Sequence, residues 1–75
     1  MINRKKISDI QEYDHVKIRI SIRSEGLEKG DEGQVVMLYG DPPKDADVEF
    51  QNPHGKGIKL VMIPLRYLEI AKEKT

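Results

Sequence analysis

The sequence predicts an all-β fold, a small five-stranded barrel behind a short N-terminal extension. Three observations predict it. Val16, Ile18, Ile20 and Ile22 alternate without a break with Lys17, Arg19, Ser21 and Arg23. Period two is the mark of a half-buried strand, because successive side chains point to opposite faces. Turn-forming clusters recur about every ten residues between short apolar runs, which is the rhythm of all-β domains rather than of strands alternating with helices. Finally, Gly26-Leu27-Glu28-Lys29-Gly30-Asp31-Glu32-Gly33-Gln34-Val35-Val36 leads a glycine turn straight into β-branched residues. Glycine accepts φ > 0 and lets a second strand approach closely, so Gly26, Gly30 and Gly33 are expected to shape this turn.

The elements follow in order. Residues 1–12 form the extension and 13–75 the barrel. Ser8 and Gln11 have capping-box spacing, consistent with one helical turn from Ser8 to Glu12 whose Ile7 and Ile10 plug an end of the barrel. The first strand is Val16 to Arg23, and a polar loop over residues 24–31 is anchored by Leu27. The second strand runs from Gln34 to Tyr39. Gly40-Asp41-Pro42-Pro43-Lys44-Asp45 reads as a turn, since neither proline can donate to a ladder. Asp47 to Gln51 is the third strand, with Val48 and Phe50 on one face. A second turn, Asn52-Pro53-His54-Gly55-Lys56-Gly57, precedes the fourth strand, Ile58 to Ile63. Pro64 stops that strand, Pro64 to Tyr67 fits a single helical turn, and Leu68-Glu69-Ile70 is the last strand.

The totals set bounds. Seventy-five residues make one domain, small enough to bury only about 60% of the surface its unfolded chain exposes. With no cysteine, neither disulfides nor a thiolate metal site are available. No apolar run approaches the roughly 20 residues of a membrane span, and Met1-Ile2-Asn3-Arg4-Lys5-Lys6 lacks the apolar stretch of a secretion signal. A cytoplasmic protein with no membrane contact is expected. Net charge is zero but unevenly placed: residues 1–23 carry six basic and three acidic groups, 24–51 two and eight, and 52–75 five and two. The middle third is thus an acidic hairpin at −6 between two segments at +3 each.

Several of these residues also carry a resemblance. Tyr13-Asp14, the stretch Gly26 to Val36, Tyr39-Gly40, Val48-Glu49-Phe50 and Ile63-Pro64 with Leu68 resemble the SH3-like barrels, most closely a small bacterial family of stand-alone domains of unknown function. The match covers roughly residues 13–70. Such barrels are similar to the accessory subunits that brace photosystem I or ferredoxin–thioredoxin reductase, and to the nucleic-acid-binding KOW modules. The resemblance implies no catalytic residues. It does imply that Met37 and Met62, at positions usually polar in that family, point outward. Alternation then turns Val36, Leu38, Val61 and Ile63 inward with Val48 and Phe50. Val35, Met37, Tyr39, Leu60 and Met62 fall on an outer face that is unusually apolar, as contact surfaces are. The alternative is that Ile2, Ile7 and Ile10 cover this face within the monomer.

Chemistry is sparse. The serines are Ser8, Ser21 and Ser24, and His15 and His54 stand on different segments, so no nucleophile–base pair is legible and an enzyme is not expected. Two isolated histidines have no metal-ligand spacing. Neither a cofactor nor a small-molecule substrate is expected. The Gly26–Gly33 turn is no phosphate cradle, because Glu28, Asp31 and Glu32 repel an anion. Polyproline recognition needs an aromatic-lined groove, and there is no tryptophan. Two readings remain: a module that binds a protein, or a copy of itself, through the apolar outer face; and a KOW-like nucleic-acid module in which Lys17, Arg19 and Arg23 track a phosphate backbone. Zero net charge and the acidic middle third weigh against the second.

Overall fold

A computed structural model describes residues 10–51 and 57–71. These form five strands: β1 (His15–Ile18), β2 (Glu32–Gly40), β3 (Pro43–Gln51), β4 (Ile58–Pro64) and β5 (Leu68–Ile70). Two 3₁₀ turns join them, Arg23–Glu25 before β2 and Leu65–Tyr67 between β4 and β5. All strands belong to one antiparallel sheet in the order β4-β3-β2-β1-β5. The strands at its opposite edges, β4 and β5, are consecutive and linked by three residues only. The sheet therefore curls, so that its two edges approach each other. No ladder between β4 and β5 joins those edges among the described residues.

The concave side holds the core. Val16, Ile18, Val35, Ala46, Val48, Phe50, Ile63 and Leu68 are buried there, with Leu65 from the second 3₁₀ turn. Ile10 and Leu27 join the same cluster, as expected of an end plug and a loop anchor. Ile7 and the proposed capping residue Ser8 lie outside the described residues, as does the turn over 52–56. Among the described residues no polar side chain is buried, so apolar burial at roughly 25 cal/mol per Å² is the main stabilising term.

The glycine stretch divides its work. Ile22 and Leu27 exchange backbone hydrogen bonds of 2.9 and 3.1 Å around the first 3₁₀ turn, and Gly26 closes that loop at φ 72°. Gly30, at φ 95°, completes the next turn, where the Glu28 N–H donates to the Asp31 carboxylate and the Asp31 N–H to the Glu28 carbonyl. Gly33 is not a turn residue. It lies within β2, where a Cβ would stand 2.6 Å from the Glu49 carbonyl oxygen.

Three further expectations are corrected. β1 ends at Ile18, not at Arg23: the Arg19 N–H turns to the Tyr67 carbonyl, Ile20 is 39% exposed, and Arg23 starts a 3₁₀ turn. Alternation over residues 16–23 thus continues past the ladder that enforces it. The proline turn is shorter than expected, because Pro43 already pairs with Gly40 as the first residue of β3, where a missing N–H is tolerated. Most consequential is a register shift between Val35 and Met37. Val35 pairs with Val48 and Met37 with Asp47, leaving Val36 as the extra residue of a bulge. The bulge inverts the facing of every residue before it.

Candidate functional site: the outer face of β2 to β4

The convex side of β2, β3 and β4 is built in cross-strand rows. Met37, Asp47 and Met62 form one row, Gln34, Glu49 and Leu60 the next, and Tyr39, Asp45 and Pro64 a third. Ile58 extends the β4 column opposite Gln51. On β4 the outward side chains are all apolar and open to solvent: Ile58 is 61%, Leu60 57% and Met62 56% exposed. Met37 faces them across β3 at 46%. Between them runs an acidic column, Asp45, Asp47 and Glu49, all half-buried. Apolar residues open to solvent on one strand, beside carboxylates on the next, make a surface that is adhesive and negatively charged at once.

Of the five outer-face residues named from the sequence, Met37, Tyr39, Leu60 and Met62 do lie together here. Val35 does not. It is 0% exposed in the core, and the bulge at Val36 is the reason. Val36, expected inward, is half-buried and does not pack on the core cluster, whereas Leu38, Val61 and Ile63 do face it. Sequence reasoning missed Ile58, which simple alternation from Leu60 and Met62 would have found. Ile10, expected among possible covers of this face, is committed to the core; Ile2 and Ile7 lie outside the described residues.

Tyr39 and Asp47 tie the surface together. The Tyr39 hydroxyl donates to Asp47 Oδ2 at 2.6 Å. That bond, with some burial and the charge of Asp47, holds the Tyr39 phenol above its ordinary pKa. Asp45 and Glu49 make no ion pair among the described residues. A hollow of about 280 Å³ opens beside Glu49 on the same side, walled by His15, Glu32, Gln34, Gln51 and Ile58. Its two carboxylates extend the acidic character of the face towards β1.

The basic residues do not line up as a strand face. Lys17 and Arg19 gather with Lys29 around a second hollow, while Arg23 departs with the 3₁₀ turn. Lys17 stands between Glu32 and Glu69 across its two ladders, with Nζ 3.7 Å from Glu69 Oε2. Arg66 lies over the Tyr67 ring at 4.7 Å, so one face of that ring is already covered. His15 pairs with Gln34 in the β1–β2 ladder, and His54 lies outside the described residues. Among the described residues no three potential ligands group to hold a metal ion, and no helix is long and apolar enough to cross a membrane. No family model, no curated protein and no solved structure matches this chain.

Proposed function

We propose that this chain is a non-enzymatic interaction module, an SH3-like barrel that docks a partner protein on the outer face of β2 to β4. The barrel reading is supported by the strand order, with the first strand between β2 and β5, and by a 3₁₀ turn leading into a short last strand. The observation that carries the docking reading is the column Ile58, Leu60 and Met62, which exposes three large apolar side chains on one strand beside Met37. Keeping such residues in water forgoes about 1.5–3 kcal/mol each relative to burial, a cost that docking would recover. A nucleic-acid module is less well supported, because Arg23 leaves the row and Lys17 is flanked by carboxylates.

A photo-crosslinking amino acid placed at Leu60 tests the reading in the native host, with the same group at Arg23 as reference. A defined protein adduct from position 60 and none from position 23 is the expected outcome. Equal labelling from both positions, or none from position 60, removes the outer face as a docking surface.

A further inference from the structure

The hydrogen-bond pattern fixes what the outer edge of β4 offers. The Val35 N–H donates to the Asp14 carbonyl at 2.9 Å, and the Val35 carbonyl accepts from the Tyr13 N–H at 2.7 Å. Both backbone groups of Val35 therefore point away from β3. In an antiparallel ladder these directions alternate residue by residue. Val48, opposite Val35, then directs its own groups to Val61 on β4. It follows that Lys59, Val61 and Ile63 bond inward to β3, while Ile58, Leu60 and Met62 aim their N–H and C=O groups at the open edge. Pro64, which shares their direction, has no N–H to lose there. No backbone hydrogen bond from another described residue reaches these groups.

Among the described residues the same three thus present unpaired backbone groups at the edge and exposed apolar side chains on the outer face. Exposed edges are commonly guarded by charged side chains, lysine above all, by inward-pointing charges or by proline. On β4 these guards stand towards the two ends, Lys59, whose Nζ is 3.2 Å from Glu25, and Pro64, and none stands on Leu60 to Met62 between them. One strand further in stand Asp45, Asp47 and Glu49, of which Asp45 and Glu49 have no cationic partner among the described residues.

We propose that the edge of β4 takes up an extended, arginine- or lysine-rich segment of a partner protein as a sixth strand. This rests on the docking reading above and adds the partner's chemistry. Main-chain hydrogen bonds to Leu60 and Met62 supply register, as in other strand additions. Outward arginine or lysine side chains of the segment lay their aliphatic stems over Ile58, Leu60 and Met62. Their charged heads reach the acidic column, which is two strand spacings, about 10 Å, from the added strand. Alternate residues of the segment fall on the inner side next to Val61 and are apolar. A second copy of this chain is the poorer occupant: pairing β4 with β4 sets one bare apolar column against another and leaves both acidic columns without cations.

A fluorescein-labelled peptide of alternating arginine and valine is the probe, titrated against the full chain. Saturable binding is expected, with amide resonances moving over Ile58–Pro64 and at Glu49. The double substitution Asp47→Asn and Glu49→Gln keeps side-chain size and is expected to weaken binding about tenfold or more. A glutamate–valine peptide, and an arginine–valine peptide N-methylated on its bonding edge, are expected not to bind. Absence of saturable binding, insensitivity to N-methylation, equal binding of the acidic peptide, or resonance changes centred elsewhere overturns the proposal. So does a concentration-dependent dimer abolished by Leu60→Lys, which makes a second copy the occupant. A protein crosslinked at position 60 that the arginine–valine peptide fails to displace leaves the docking surface standing and removes strand addition alone.

Discussion

Gly33 is the residue whose side chain the fold cannot accept. A Cβ there would meet the Glu49 carbonyl oxygen at 2.6 Å, Val48 Cγ1 at 2.8 Å and Phe50 Cδ1 at 3.0 Å. Two of these atoms belong to buried side chains and one to the backbone of β3, so no flexible tip can give way. Gly33→Ala is expected to destabilise the protein by about 1–3 kcal/mol in urea unfolding, as overpacking of a close contact does. The glycines at 26 and 30 differ in kind, since nothing lies within 4 Å of a Cβ at either, and only their positive φ resists substitution. A glycine-rich turn was legible in the sequence. Which glycine serves a turn and which serves a strand crossing was not, because the second role depends on β3, some fifteen residues away.

At the scale of the element, the bulge in β2 decides which valine supports the core. Val35 is fully buried against Val48, while Val36 is the unpaired residue of the bulge and only half-buried. Val35→Ala is therefore expected to cost roughly 2–3 kcal/mol through the cavity it leaves, and Val36→Ala under about 1 kcal/mol. A larger loss from Val36→Ala than from Val35→Ala in chemical denaturation would mean that the strand is regular and that its faces follow simple alternation. Adjacent valines are interchangeable to a periodicity argument, so the sequence pattern holds no mark of the bulge. β1 teaches the converse. Its four alternating β-branched residues form a ladder over His15–Ile18 only, because past Ile18 the chain leaves β2 to make the Ile22–Leu27 bridge. Ile20 is left in solvent despite a perfect local pattern.

At the scale of the whole molecule, five short strands share one core, and stability belongs to the set. A domain of this size holds about 4–11 kcal/mol in total at typical values per residue. Leu68 lies on the three-residue β5, yet it is 0% exposed and joins the same cluster as Ile63 on the opposite edge strand. Leu68→Ala is expected to remove about 2–5 kcal/mol, a large share of that total. Loss of β5 alone, with β2 to β4 still protected in hydrogen exchange, would contradict a single cooperative core; simultaneous loss of protection in all strands is the expected result. The charge distribution acts at this scale too. The −6 of residues 24–51 is concentrated in part as the outward column of β3, next to the apolar column of β4, because β3 and β4 pair in register over seven residues. From the sequence that charge is only a hairpin's average.

The order of short strands, the 3₁₀ turn before the last one, and the buried pair Val48 and Phe50 are set by local pattern and turn chemistry, which operate within a few residues of chain. The outward facing of Met37, Leu60 and Met62 followed instead from the resemblance to SH3-like barrels and not from periodicity. Tertiary structure alone decided that Val35 is core, that Gly33 faces a neighbouring strand, that Arg23 leaves the basic row, and that Ile58, Leu60 and Met62 direct their backbone groups to an edge that no other described residue pairs with. Each of those outcomes depends on where a partner strand begins and ends and on how the ladder is offset. Register is a property of pairs of segments, and a single segment's periodicity cannot contain it.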